Sequence, residues 1–207
     1  MENYISINGQ QIPLTDEQIQ QIISAYEDGD KQVKLAEIPA GGTFKIGNRE
    51  FVVLDNCGGV AVSITKDIVK TMKFGPNNNY AGSEVDTFCK EFANELAEKI
   101  GANNLMEFPV DLTSDDGLKD YGKISRYVAL MTADQYREYV EILDQHKTDV
   151  WWWLATPYST ARHENDLWVK CVSPAGGISR GGYFSDFNVG VRPFCIFNSD
   201  IFVSSEQ

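Results

Sequence analysis

Three consecutive tryptophans, Trp151, Trp152 and Trp153, constrain this chain more than any other feature. They open a C-terminal stretch, residues 151–204, in which short apolar runs alternate with Gly, Ser, Asn and Pro, the pattern of strands and turns. Successive side chains of a strand face opposite sides, so three adjacent indoles cannot all enter one core. At least one must be covered by a second layer, a loop or a ligand.

The preceding chain supplies material for further layers. Residues 4–14 read as a hairpin around Asn8-Gly9, a turn favoured because both positions tolerate positive φ. Thr15 with Gln18 forms a capping box, and Ile19, Ile22, Ile23 and Tyr26 follow on one helical face. This unit, residues 1–32, is too small to fold alone, so its apolar stripe must dock on the remainder or on a second copy. The main domain is expected over residues 33–207. Within it, residues 35–39 lead as a strand into the Gly41-Gly42 turn, residues 43–46 and 50–54 pair across Gly47-Asn48, and residues 60–65 form another strand. Residues 75–79 make a loop whose three asparagines cap or turn the chain. Ser83 caps a helix with Val85, Phe88, Phe92, Leu96 and Ile100 along one face and Gly101 as its stop. Thr132 caps another, with Gln135 completing a capping box and Tyr136, Tyr139, Val140 and Leu143 on its buried side. Capped helices among short strands, without βαβ repetition, predict an α+β fold.

Composition narrows the function. At 207 residues the chain can bury a sizeable core without staples. Its formal net charge of −12 repels phosphate backbones and anionic lipid, which disfavours direct nucleic-acid binding. That acidity serves solubility, or imitates nucleic acid in the basic groove of another protein. Cys57, Cys89, Cys171 and Cys195 are widely spaced and include no CxxC pair, against a zinc framework and for reduced thiols in a cytoplasm. No secretory signal is visible at the N-terminus, and no apolar window is long enough for a membrane span.

Catalytic and metal motifs are tested and set aside. A calcium loop of the EF-hand type starting at Asp111 would need glycine where Asp116 stands and glutamate where Gly122 stands, so residues 111–117 read as a turn with capping aspartates. His163 has no Ser or Cys partner at motif spacing, and His146 suits the end of a helix, so neither supports a triad. Cys171 and Cys195 each sit inside an apolar run, where a thiol is inert. Cys89 reads as a small buried hydrophobe.

Residues 152–157, Trp-Trp-Leu-Ala-Thr-Pro, and the later Gly190-Val191-Arg192-Pro193 resemble a family of bacterial and phage-borne domains of unknown function. Its signature is a WWLRSP-like segment followed by a GVRP-like one. The resemblance covers about residues 35–207, including the hairpin at 47–54, the strand end at 64–67 and the helix entry at 130–134. It implies a C-type lectin-like fold, in the branch shared with formylglycine-generating enzymes and phage variable receptor-binding proteins. Residues 180–183, Arg-Gly-Gly-Tyr, followed by residues 190–192 are similar to that branch's RGGSW…GFR run. What it implies is a mixed sheet with flanking helices and a long loop-rich C-terminal part. Ala155 stands where the signature has arginine, so a salt bridge made there is absent here. Sugar-binding relatives coordinate calcium through an EPN-like triplet and a WND. Glu164-Asn165-Asp166 has no intervening proline and Trp168 follows rather than precedes, so no metal is expected. The paired copper-binding cysteines of the oxidase branch are not expected from Cys171 and Cys195 either, and no cofactor is implied.

The reading that follows is a binding module rather than an enzyme, cytoplasmic or virion-associated, with loops on a rigid sheet as its contact surface. Residues 158–168 contribute Tyr158, Arg162, His163, Glu164, Asp166 and Trp168; residues 176–188 contribute Arg180, Tyr183, Phe184, Asp186, Phe187 and Asn188. Aromatics beside Ser, Gly and Asn give such loops rigid contacts and adaptable hydrogen bonds. The expected partner is a protein, with a glycan as the alternative. The competing class is an acidic inhibitor of a host nuclease or nucleic-acid-binding protein, and the third is an oxidase. Trp152 and Trp153 are assigned to the core, and Arg192 to a clamp between the last strand and a loop acid. Oligomeric state is left open.

Overall fold

The computed structural model describes residues 4–7, 10–16, 18–19, 31–179 and 182–205. Among them β1 (Tyr4–Ile7) and β2 (Gln10–Pro13) form the expected hairpin. The Thr15 capping box is present: Gln18 N–H donates to Thr15 Oγ1, and Thr15 N–H donates to Gln18 Oε1. Ile22, Ile23 and Tyr26 of the expected stripe lie outside the described residues.

Five strands follow: β3 (Lys31–Lys34), β4 (Thr43–Ile46), β5 (Arg49–Cys57), β6 (Val60–Thr65) and β7 (Lys70–Met72). Helix α1 (Glu84–Ile100) comes next, then β8 (Phe108–Asp111), β9 (Lys123–Arg126) and β10 (Val128–Ala129). Two short helices, α2 (Ala133–Glu138) and α3 (Val140–Leu143), precede β11 (Trp152–Pro157) and β12 (Trp168–Val172). The chain continues with β13 (Tyr183–Phe184), β14 (Val189–Val191), β15 (Phe194–Asn198) and β16 (Phe202–Ser205).

The result is an α+β protein dominated by two sheets. The larger has seven strands in the order β10-β15-β6-β5-β4-β16-β3 and is antiparallel throughout. The smaller has five, β13-β12-β11-β14-β7, and is mixed because β11 and β14 run parallel. β4 and β5 pair through a two-residue loop whose Gly47 takes φ +59, the left-handed first position of a type II′ hairpin turn. Residues 35–39 depart from the expected strand. Leu35–Glu37 is a 3-10 turn, because Asn56 Nδ2 donates to the carbonyls of Leu35 and Ile38 and takes the place of a ladder partner.

Phe44 stacks on Phe51 with ring centroids 5.3 Å apart, and both meet Phe197 edge-on. Helix α1 buries Val85, Cys89, Phe92 and Leu96, the face its periodicity predicts, and Ser83 Oγ accepts from Asp86 N–H at its start. Asp86 itself is buried and takes a bidentate pair from Arg126 at 2.6 and 2.8 Å, which ties the helix entry to β9. The Thr132 capping box also forms, but the helix it starts does not run on to Leu143. Tyr139 (φ −106, ψ 15) leaves the helical region and the next turn closes by Ile142 N–H to Tyr139 O, so α3 is a separate turn.

The tryptophans divide as alternation requires. Trp152 is buried against Tyr136 of α2, with ring centroids 5.7 Å apart. Trp153 is buried on the opposite side against Phe74, and its indole N–H donates to Met72 O at 3.0 Å. Trp151 is half-buried and covered by Tyr183, 5.0 Å away.

Arg192 and Pro193 lie where the chain leaves the five-stranded sheet at β14 and enters the seven-stranded one at β15. Alongside, residues 65–69 make the same passage between β6 and β7. Thr65 N–H donates to Pro193 O, Val69 N–H to Val191 O, and Arg192 Nε to Thr65 O at 2.8 Å. The buried guanidinium lies 5.4 Å from the Trp152 ring. The expected clamp is therefore present with a different partner: a carbonyl takes the hydrogen bond, and Asp67 acts on Arg192 only through its charge. Burial lowers the Arg192 pKa to about 10, which leaves it cationic at neutral pH.

Candidate functional site

The loop over residues 158–168 is held by one side chain from the asparagine run. Asn78 is fully buried, and its Nδ2 donates to the carbonyls of Ser159, Trp168 and Asn165 at 2.9, 3.0 and 3.2 Å. The Tyr121 hydroxyl donates to its Oδ1 at 2.8 Å, and Asn78 N–H donates to Asp166 O at 2.7 Å. Its neighbours Asn77 and Asn79 make the expected turns, accepting from Asn79 N–H and Ala81 N–H. Asn78 does more than turn the chain: it satisfies loop carbonyls that burial would otherwise strand.

A second anchor comes from the acidic turn after β8. Asp116 Oδ2 accepts from the Ser159 hydroxyl at 2.6 Å and lies 2.9 Å from His163 Nδ1, while Ser114 donates to its other oxygen. Burial acts to raise this carboxyl, but the bonds from Ser114, Ser159 and His163 outweigh it and hold its pKa well below the usual carboxylate range. Arg162 pairs with Asp120, which also accepts from the Thr160 hydroxyl at 2.7 Å. Buried Lys170 reaches Asp115 at 3.0 Å and lies 5.7 Å from the ring of Tyr158.

Sequence spacing offered His163 no partner, whereas the fold brings it both a serine and a carboxylate. They do not form a nucleophilic relay. In a relay the carboxylate holds one ring nitrogen and the serine hydroxyl meets the other. Here Ser159 is buried and donates straight to Asp116, and the His163 nitrogen near it, at 3.5 Å, is the same Nδ1 that faces the carboxylate. The group latches two loops. Cys171 and Cys195 lie on different sheets, and burial pushes both thiols well above their ordinary pKa. His146 places a ring nitrogen 3.0 Å from Gly41 O.

The other half of the predicted set is aromatic. β13 is an edge strand paired to β12, with Trp168 opposite Phe184 and Val169 opposite Tyr183. Trp168 and Phe184 have centroids 4.0 Å apart, and Phe187 meets both Tyr183 and Phe184 at 6.1 and 5.9 Å. Through Tyr183 the row reaches Trp151. Trp168, Tyr183 and Phe184 are half-buried; Phe187 is 49% exposed and Leu167 43%, so the rings form an accessible strip. Gly182 sets its position: with φ +87 it lies so close to Val169 that a Cβ would collide with that carbonyl.

The expected contact set thus separates into two groups. Tyr158, Arg162 and His163 belong to the latch; Trp168, Tyr183, Phe184 and Phe187 form the strip, with exposed Asp186 and Asn188 flanking Phe187 in the chain. Half-buried Asp166 lies two residues before Trp168, where its charge acts on Tyr121. Glu164 is exposed and left-handed (φ 54), the turn that returns the latch loop toward β12. Arg180 lies outside the described residues. Two polar clefts adjoin the latch rather than the strip. One of about 510 Å³ is lined by Asp111, Ser114, Thr132 and Arg137, the other, of about 350 Å³, by Asp116, Tyr158, Ser159 and Asn165, and Asp115 borders both. Among the described residues no group of three or more His, Cys, Asp or Glu side chains is arranged to hold a metal ion, and no helix is long and apolar enough to cross a membrane.

No family model, curated protein or solved structure matches the chain. The functional reading rests on the geometry of the strip and the latch.

Proposed function

We propose that this chain is a non-catalytic binding module of the C-type lectin-like kind, associated with a phage or mobile element, and that it recognises a protein partner through the aromatic strip. The observation that carries this reading is the row Trp168–Phe184–Phe187–Tyr183, in which Tyr183 and Phe184 belong to edge strand β13, Trp168 to its neighbour β12 and Phe187 to the turn that follows β13. Rigid aromatics lose little conformational freedom on contact and supply much of the energy of protein interfaces. The mixed sheet, the flanking helices and the passage between sheets at Arg192-Pro193 support the lectin-like assignment. So does the loop-rich course between β11 and β14.

The test is capture of partners from a bacterial host lysate by the wild-type chain and by Tyr183→Ala/Phe187→Ala. A defined partner retained by the first and lost by the second, with the second still folded in its urea unfolding curve under the capture conditions, is the expected result. Equal capture by both removes the strip as the contact surface.

A further inference from the structure

The strip has a charged border. The β12–β13 ladder ends at Trp168 and Phe184, and after Ser185 N–H donates to Leu167 O the chain turns, Phe187 N–H closing on Phe184 O. Exposed Asp186 therefore lies in the turn between Phe184 and Phe187, while half-buried Asp166 lies two residues before Trp168. Neither aspartate forms an ion pair among the described residues, and exposed Glu164, two residues from Asp166, forms none either. Among the described residues, Arg162, Lys170 and Lys73 make no ion pair with these carboxylates. Arg162 is held by Asp120 and Lys170 by Asp115. Lys73 is exposed beside Phe74, whose N–H donates to Ser185 O, yet makes no ion pair with Asp186. The surface therefore joins carboxylates that have no ion-pair partner among the described residues to stacked ring faces, the two elements that together hold an organic cation.

Resting on the binding reading above, we infer that the partner presents a basic segment. Its arginine or lysine heads meet Asp166, Asp186 and Glu164 while their planes or stems lie on Trp168, Phe184 and Phe187. An acidic chain with this border also steers basic partners toward the strip before contact.

The probe is a flexible peptide of alternating Gly and Arg, titrated against the intrinsic fluorescence of half-buried Trp151 and Trp168, with Gly-Glu and Gly-Ser peptides of equal length beside it. The Gly-Arg peptide is expected to bind most tightly. Asp166→Asn/Asp186→Asn should weaken it about fivefold, as the loss of one exposed and one half-buried charge contact implies. Glu91→Gln/Glu98→Gln, on the exposed side of α1, should leave it within about twofold. Folding is checked by the urea midpoint, which should hold in the aspartate variant because neither carboxylate forms an ion pair among the described residues; Asp186→Asn alone serves if the double variant unfolds. Equal losses in both charge variants, or a Gly-Ser peptide that binds as well as Gly-Arg, would overturn the inference. Lysate capture separates it from the reading beneath it. Capture that survives Asp166→Asn/Asp186→Asn but not Tyr183→Ala/Phe187→Ala sinks the basic partner alone, whereas capture that survives both sinks the strip.

Discussion

Replacing Asn78 with alanine removes two amide hydrogens shared among the carbonyls of Ser159, Trp168 and Asn165, together with the acceptor used by Tyr121. Each buried polar group left unpaired costs about 1–3 kcal/mol, and at least two are stranded here, so the loss should be about 3–5 kcal/mol. Swinging the loop into water would hydrate the carbonyls and lower that cost, at the expense of the Asp116–Ser159 and Asp116–His163 latch. Two assays therefore accompany each other: urea unfolding for the global loss, and limited trypsin digestion at Arg162 for local release. Asn78→Asp is the sharper variant, since it keeps the shape but turns an oxygen toward three carbonyls. It should be at least as damaging as alanine at neutral pH. If Asn78→Asp lies within about 1 kcal/mol of wild type with Arg162 equally protected, the hub reasoning is wrong.

Arg192 separates packing from charge: Arg192→Met loses mainly the bond to Thr65 O and should cost about 1–2 kcal/mol, whereas Arg192→Ala opens a cavity beside Trp152 and should cost roughly 3–5 kcal/mol in urea unfolding. Gly182→Ala forces a side chain into the left-handed region against Val169 and should cost about 1–3 kcal/mol for the backbone alone. The accompanying shift of β13 should be visible as altered near-ultraviolet circular dichroism from Trp168 and Tyr183. Acid should weaken the fold in a defined window. The Thr113 hydroxyl and Lys123 hold Asp111 at about 2, and Asp86 and Asp116 are also lowered. Carboxylates lowered by folding contribute stability above their unfolded pKa and lose it as pH falls through the folded one. The urea midpoint should stay level from pH 7 to about 5, then fall from about pH 4 toward about pH 2. A flat profile across that window contradicts the assignment.

Local features of the fold were legible in the residues. Capping at Ser83 and Thr132, the Gly47-Asn48 turn and the helical face of Val85, Phe92 and Leu96 all depend on neighbours a few positions away, which pattern reading can see. The division of the three tryptophans followed from strand alternation alone. What escaped depends on long-range placement. Asn78 sits in a run that looks like any turn, and its role appears only when the chain returns some eighty residues later. Asp116 reads as a cap in the turn at 111–117, and nothing near it or near Asp120 in sequence announces Ser159, Arg162 or His163. The residues expected to form one contact surface fall into two groups, because strand β12 leads to the strip and the loop before it leads to the acidic turn. A side chain amide likewise outcompeted the ladder at Leu35 and Ile38, which no propensity scale anticipates.

The central claim is that the strip at the β13 edge, rather than exposed apolar surface in general, meets the partner. A photo-reactive benzoylphenylalanine at Phe187 tests it directly, with the same group at Phe202, 61% exposed on β16, as comparison. Irradiation in host cells should yield a discrete cross-linked protein from position 187 and none from position 202. No adduct at 187, or the same adduct from both positions, would contradict the account.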